Sequence, residues 1–358
     1  PSALRGSSAY ALFLPFCNPA VSTSNNNTLS LFALIDCGEG CLTSLAQYMP
    51  QSLCLNQSLL SLKLIWISHA HLDHYGGLAT IIKAIDDTRT SREKSDILSF
   101  VEKPIVIAPL VVLQYLDECL GCVNGMVVSS VNQGGRNFSY RLFYAATHND
   151  FQRNSDNKCG NAVQDMLYAY EVRHCKTQRS WRPVGSLKSI PVEHCSHAYA
   201  LIIDVRYLDY ECGNVNTFCL CYSGDCRPSS NLVLACTRHH RSPDLIIHEA
   251  TFDDTMRQEA IIKRHCTVSE AFEVVKKIGA KSCLLSHFSQ RYPRTSDNNS
   301  SSNSSINVSS TNLRSSLNFC SAVDGLFIPL TETFLKSLSL LDMAIVSFVN
   351  LPDCPKKK

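Results

Sequence analysis

The sequence predicts an α/β fold built as a four-layer αβ/βα sandwich, with two mixed sheets packed face to face and helices covering both outer surfaces. Two observations carry that prediction. Short apolar, strand-like runs alternate along the chain with segments of helical periodicity. Words rich in histidine and carboxylate follow those runs directly, and open α/β layers place their ligands in the crevice beyond the strand ends. A site assembled from these words would sit at one edge of the sheets.

The elements follow in chain order. Residues 11–36 and 52–67 supply the first strands, the second ending in the apolar run Leu62 to Ile67. Leu78, Ile81, Ile82 and Ile85 then restore helical spacing, and the polar stretch Asp86 to Asp96 reads as a loop. The interval from His74 to His194 is longer than a minimal fold needs, and its polar middle, residues 148–182, reads as an insertion. Apolar runs recur at Ala200–Val205, Thr217–Tyr222, Leu245–Ile247 and Ser282–Ser286, with helical pattern at Ser269–Ile278. Residues 294–317 are almost wholly Ser, Asn, Asp and Thr, too polar to offset chain entropy, and are expected to be a disordered insertion. The apolar segment Leu340 to Phe348 would return to the fold as a closing element. Residues 1–358 are read as a single domain, because the candidate site residues are scattered along the chain and must converge.

The densest chemical signal is Ser68-His69-Ala-His71-Leu-Asp73-His74-Tyr-Gly-Gly, directly after an apolar run. Neutral imidazoles and a carboxylate are the donors that borderline divalent metals prefer, and core packing requires no such density of them. In an extended segment alternate side chains point the same way, so His69 and His71 can share one metal. Asp73 and His74, past the bend, can face a second. Further candidates each follow a later apolar run: His194, Asp225, the pair His248 and Glu249, and His287.

With these residues in view, the chain resembles the metallo-β-lactamase superfamily and, within it, the tRNase Z family. The words that carry the resemblance are His-x-His-x-Asp-His at 69–74, Pro-Val-Glu-His-Cys-Ser-His-Ala-Tyr at 191–199 and Ser-Gly-Asp-Cys-Arg-Pro at 223–228. His-Glu-Ala-Thr-Phe at 248–252, His-Cys-Thr at 265–267 and His-Phe-Ser-Gln-Arg-Tyr at 287–292 complete the series, most similar to the catalytic C-terminal half of the long eukaryotic form. The resemblance implies a metallo-β-lactamase-type sandwich and a zinc endoribonuclease that removes 3′ trailers from precursor tRNA, leaving a 3′ hydroxyl on the tRNA. It implies two zinc ions, replaceable by manganese or another divalent metal. His69, His71 and His194 would hold one, Asp73, His74 and His287 the other, and Asp225 would bridge them. Asp73 would also act as general base and His265 as the proton donor to the leaving oxygen, with Glu249 orienting His265. Asp36 would orient the metal loop, while His197 and His248 would pack behind the ligands. His148, His174, His239 and His240 lie in polar surroundings and are read as solvated.

Composition limits the remaining possibilities. A formal charge of +2 is low for a protein that grips nucleic acid with its own surface. Chain position 1 is Pro, and the resemblance implies an N-terminal half that supplies the tRNA-clamping arm. The 18 cysteines lack the spacing of a disulfide framework and read mostly as buried small hydrophobes, with Cys119 and Cys122 as the one Cys-x-x-Cys pair. The sequence contains no apolar stretch of roughly 20 residues, so no membrane partner is expected, and the family's compartments are nucleus and mitochondrion. A homodimer is left open. At the N-terminus, Leu4-Arg-Gly-Ser-Ser-Ala9 matches the family's glycine-rich opening only loosely, and Tyr199-Ala200 replaces an aromatic-glycine pair. Handling of the CCA end is therefore undetermined. The alternatives weighed are a thioesterase of the same fold and a non-catalytic RNA-binding module; the unusual His-Cys-Thr word opposes the first and the complete ligand series the second.

Overall fold

The computed structural model describes residues 8–15, 29–93, 103–124, 138–139, 143–149, 172–173, 180–208, 213–288, 318–322, 325–326, 328–329 and 335–340. Strands β1 (Ala9–Pro15), β2 (Leu29–Cys37), β3 (Leu64–Trp66), β4 (Ile105–Ile107), β5 (Phe138–Ser139) and β6 (Tyr144–Ala146) form one six-stranded sheet in the order β1-β2-β3-β4-β6-β5. After a short ribbon of β7 (Val172–Arg173) and β8 (Ser180–Trp181) comes the second sheet. It holds β9 (Val184–Pro191), β10 (Tyr199–Leu208), β11 (Val215–Tyr222), β12 (Leu245–Glu249), β13 (Cys283–Ser286) and β14 (Phe319–Ser321), ordered β14-β13-β12-β11-β10-β9. Both sheets are mixed. β2, β3, β4 and β6 run parallel, as do β11 to β14, so the C-terminal ends of each set share one edge.

Strand alternation separates the core into layers. Leu64 and Trp66 of β3, Ile105 and Ile107 of β4, and Leu201, Ile203 and Val205 of β10 fill the space between the sheets. The intervening Ile65 and Val106 face outward against helices α1 (Cys41–Tyr48), α2 (Leu55–Ser61), α4 (Leu78–Glu93) and α5 (Leu110–Asn124), with the single turn α3 (Leu72–Tyr75) carrying the histidine-rich word. Ala200, Ile202, Cys219 and Cys221 face the opposite helical layer, α6 (Ser230–Thr237) and α8 (Val268–Ile278), with α7 (Arg257–Lys263) between them in the chain. Helix–sheet–sheet–helix is the expected four-layer sandwich.

Helix α8 shows how local chemistry fixes an element. Thr267 and Glu270 form a reciprocal capping box at its start, and Gly279, at φ 70°, ends it in the left-handed conformation that glycine accepts at no steric cost. Its buried residues, Val268, Ala271, Phe272, Val275 and Ile278 among them, recur every three to four positions and lie against the second sheet.

Three expectations need correction. The stretch from Asp86 is helical as far as Glu93. Lys83 pairs with Asp87 one turn on, and the hydroxyls of Thr88, Thr90 and Ser91 bond to carbonyls four residues back, so polar residues continue the helix on its solvent side. Within 52–67, residues Leu55–Ser61 form α2 and only Leu64–Trp66 is strand, because Ser58, Leu59 and Leu60 bury one face of a helix beside the sheet. His148 and His239, read as solvated, are both buried. Asp204 compensates His239 at 3.1 Å. His148 joins a chain in which Trp66 Nε1 donates to Ser189 Oγ, Ser189 lies 2.8 Å from His148 Nδ1, and His148 Nε2 reaches the Ile67 carbonyl at 2.8 Å. His174, residues 294–317, residues 341–348 and most of 148–182 lie outside the described residues.

His148 yields a pH test. Burial pushes its imidazole down to about 3, so it stays neutral in the fold while the unfolded chain takes up a proton near 6.5. A depressed folded value means that this contribution is present above about pH 6.5 and is lost as pH falls toward 3, by at most about 1.4 kcal/mol per pH unit. His148→Gln should flatten this part of a urea-unfolding stability profile. An unchanged slope would show that another group titrates.

Candidate metal centre

The loops that follow β3, β9, β11 and β13 deliver their side chains to one point. His69 and His71 come from the loop after β3, His74 from the turn α3, His194 from the β9–β10 connection, Asp225 from the loop after β11, and His287 from just past β13. His71 Nδ1 lies 3.0 Å from His69 Nε2 and 3.2 Å from His194 Nε2, which makes one triad. Asp73 Oδ2 lies 3.7 Å from His74 Nε2 and 3.6 Å from His287 Nε2, which makes a second. Between them stands Asp225. Its Oδ2 is 3.3 Å from the Nε2 atoms of both His74 and His287, 3.7 Å from that of His69 and 3.9 Å from that of His194.

Four of the five imidazoles are aimed by a bond made at the far nitrogen. Asp36 Oδ1 accepts from the Ser68 amide at 2.7 Å, and its Oδ2 takes Ser68 Oγ at 2.8 Å, His74 Nδ1 at 2.8 Å and Tyr222 OH at 2.7 Å. Since Ser68 gives its hydroxyl proton to Asp36, it accepts from His69 Nδ1 at 2.9 Å. His194 Nδ1 donates to the Arg264 carbonyl at 2.9 Å. Thr251 Oγ1 donates to Glu249 Oε2 at 2.6 Å and so accepts from His287 Nδ1 at 2.9 Å. These bonds place the proton on Nδ1 and leave an Nε2 lone pair facing inward in four of the five histidines, while His71 presents Nδ1.

The electrostatics are those of an ionised carboxylate ringed by imidazoles. Burial opposes ionisation of Asp225, but His287, His74 and His69 hold it well below the usual carboxylate range. Burial, reinforced by His74, pushes His69 down to about 2, and burial likewise lowers His71 and His194, so all three are neutral donors. His74 is raised against the effect of burial by Asp225 and Asp36, and His287 by Asp225 and Asp73. His69, His74 and Asp225 form a buried floor, with His71 and Asp73 exposed at the rim.

The residues fit a divalent metal. Two ligands on a tetrahedral zinc with bonds of about 2.0–2.1 Å stand roughly 3.4 Å apart, and the donor separations here scatter around that value. His74 Nε2 and Asp225 Oδ1 are buried and make no hydrogen bond among the described residues, which is costly for groups facing nothing but protein. Imidazole with carboxylate, rather than thiolate alone, is the donor mixture that zinc and its first-row neighbours take.

Beside the two triads lies His265, its ring 4.6 Å from that of His194 and 5.5 Å from that of His287 between centroids. His265 Nδ1 is 2.9 Å from Glu249 Oε1. Arg227 fixes the same turn, donating to the His265 carbonyl at 2.5 Å while forking onto both Glu270 oxygens at 2.7 Å. His197 stands at φ 60° outside both triads, and His248 is buried behind Glu249. Sequence reasoning missed Ser68, Tyr222, Thr251 and Arg264. Of these, only Thr251, inside the His-Glu-Ala-Thr word, carried a usable signal. Ser8 also contributes, its amide donating to the Asp73 carbonyl at 2.9 Å. Glycine is sterically required at Gly76 and Gly77, where an added Cβ would collide with the Leu72 and Gly38 carbonyls, and at Gly224, at φ 58°, where it would lie 2.6 Å from the Tyr199 carbonyl.

Comparison with known proteins bears on the family and the fold. A model of the metallo-β-lactamase superfamily matches residues 32–109. The chain is similar to a mitochondrial tRNase Z of Arabidopsis thaliana, 31% identical over 276 residues, which is 73% of this chain and 29% of that protein. It is similar to ribonuclease Z 1 of Schizosaccharomyces pombe, 28% identical over 264 residues, 74% of this chain and 27% of that one. The crystal structure of a long form RNase Z from yeast shares the fold, with a TM-score of 0.64 at 22% identity over 98% of this chain and 42% of that chain. The chain thus spans less than a third of the length of these two curated relatives. No described helix is long and apolar enough to cross a membrane.

Asp36 touches the centre only through the groups it aims. Asp36→Asn puts an amide donor against the Ser68, His74 and Tyr222 donors, and should weaken divalent-metal affinity roughly 10–100-fold with the fold retained. Competition with a chromophoric chelator, alongside circular dichroism, measures it; wild-type affinity would remove the orienting role.

Proposed function

We propose, for a chain that carries a metallo-β-lactamase domain and is similar over most of its length to long-form ribonucleases Z, that it cleaves precursor tRNA on the 3′ side of the mature sequence. The product is a 3′ hydroxyl on the tRNA and a 5′ phosphate on the trailer. One observation carries the reading: a single Asp225 oxygen stands within 3.9 Å of four imidazole nitrogens drawn from two separate triads. That arrangement favours two ions a few ångströms apart.

In this reading His69, His71 and His194 hold one zinc, Asp73, His74 and His287 the other, and Asp225 contacts both. The pair would supply Lewis acidity for the phosphodiester and acidify the attacking water, and manganese would do so in zinc's place. Asp73, exposed at the rim and held well below the usual carboxylate range despite partial burial by its bond to His287 and the charge of His74, orients the water and accepts its proton. His265, with Nδ1 held by Glu249, donates a proton from Nε2 to the departing 3′ oxygen. All seven ligands and His265 come from loops at one edge of two facing sheets, which supports residues 1–358 as one catalytic domain. With a formal charge of only +2, the domain depends on a segment beyond it, such as the N-terminal half of long forms, for part of its grip on tRNA. Nucleus and mitochondrion are the compartments in which such a substrate is met.

The direct test is incubation of the chain with zinc or manganese and an end-labelled precursor tRNA, followed by sequencing of the cut ends. A single cut at the 3′ boundary is expected, and a thioester hydrolysed in preference to RNA would overturn the reading. Asp225→Ala should lose at least one ion per chain by elemental analysis, with most of the activity; full metal content in that variant would contradict the shared carboxylate.

His265→Ala separates proton donation from binding. It should keep its metals and tRNA affinity while kcat falls on the order of 10²–10⁴-fold. On bis(p-nitrophenyl) phosphate, whose leaving group departs unprotonated, the deficit should shrink. An equal loss on both substrates would assign His265 a structural role instead.

A further inference from the structure

Behind the histidine-rich centre lies a second cluster of metal-ligating side chains. Cys226, His248 and Cys266 are fully buried or nearly so, and their donor atoms all lie within 4.8 Å of one another. His248 Nδ1 is 2.7 Å from the Glu249 carbonyl and so carries the proton. Its Nε2 is left with a bare lone pair, buried and without a hydrogen bond among the described residues. Burial lowers the imidazole, which is therefore a neutral donor. Cys266 Sγ, for its part, reaches the Cys226 carbonyl at 3.1 Å.

We infer that Cys226, His248 and Cys266 bind a third, structural metal ion of the thiophilic d¹⁰ class, distinct from the ions of the histidine-rich centre. Two thiolates and an imidazole are the ligands of zinc and of monovalent copper in sulfur-rich sites. Two thiolates with a divalent cation sum to zero charge, which favours zinc in so dry a place, with the Cys226 carbonyl as fourth donor. Monovalent copper would take the same ligands in three-coordinate form. Ligand atoms sharing a zinc with bonds of roughly 2.0–2.3 Å stand about 3.4–3.8 Å apart, so the donors need to close by no more than about 1.5 Å.

The position gives the ion a purpose. Cys226 follows Asp225, His248 precedes Glu249 and Cys266 follows His265. The amides of Cys226 and Cys266 already donate to Glu249, at 2.7 and 3.1 Å. Ligation of the side chains would clamp three separate segments, each next to a residue of the proposed reaction. The inference does not depend on what that reaction is.

The whole chain, freed of metal under reducing conditions, is titrated separately with Co²⁺, as a spectroscopic stand-in for zinc, and with Cu⁺. Thiolate-to-cobalt charge-transfer absorption is expected in the wild type, with one ion per chain lost and the band abolished in Cys226→Ser/Cys266→Ser. Cys195 lies beside the first triad, so Cys195→Ser serves as the control and should keep the band. A metal–sulfur shell seen by X-ray absorption with Cu⁺ alone would assign the site to copper. Absence of sulfur ligation with both ions in the folded wild type would overturn the inference without reference to any variant. Recovery of a Cys226–Cys266 disulfide from the protein as isolated, or a band that survives the double substitution, would overturn it as well.

Discussion

Everything at the centre depends on one buried carboxylate. Asp225 is 3% exposed, and an ionised carboxylate in such a place is tolerable only with charge or strong donors around it. Four imidazole nitrogens surround its Oδ2, while Oδ1 finds no partner among the described residues. A cation answers both conditions at once. The fold can supply the ligands only by bringing the ends of β3, β9, β11 and β13 to one edge: β3, β11 and β13 lie in the parallel runs, and β9, two antiparallel pairings from β11, points the same way.

Two further carboxylates hold the surroundings rigid. Asp36 gathers Ser68, His74 and Tyr222 from both sheets, while Glu249 gathers the amides of Cys226, Thr251 and Cys266, the Thr251 hydroxyl and His265. Each has several donors from separate loops, so rotation of any one imidazole breaks a charge-assisted bond in a low-dielectric setting. Backbone strain collects in the same place. All four described non-glycine residues with positive φ, namely Asp36 near the end of β2 and His197, Arg264 and His287 in loops, stand around this centre, each at a cost on the order of 1–3 kcal/mol. The three packed cores between and outside the sheets offset that cost. A well-buried scaffold can carry a strained edge.

The cysteines show how one residue type serves different ends. Cys219, Cys221, Cys236 and Cys283 sit among Ile202, Ile246 and Phe272 in the outer core, where a thiol packs as a small hydrophobe. Cys226 and Cys266 are equally buried, Cys266 in that same core, but their sulfurs lie within 4.8 Å of a His248 ring nitrogen. Composition cannot separate the two groups, since the distinction rests on which atom lies opposite each sulfur.

What the sequence alone determined was the inventory and its order: strands and helices by period, and donors by chemical type. Two imidazoles two residues apart in an extended segment, with a carboxylate and imidazole past a bend, suggested two groups of donors, and the structure brings His71 within 3.0 Å of His69 and Asp73 within 3.7 Å of His74. Orientation was decided only in three dimensions. That His71 turns Nδ1 inward while its neighbours turn Nε2 depends on partners far away in the chain, such as Asp36 for Ser68 and His74, or Arg264 for His194. The burial of His148 and His239 was hidden for the same reason, since the Ile67 carbonyl and the Asp204 carboxylate that receive them come from distant strands. A side chain's chemistry is local and can be read from one letter, whereas its tautomer, its charge and its exposure are set by whichever groups the packed sheets bring against it.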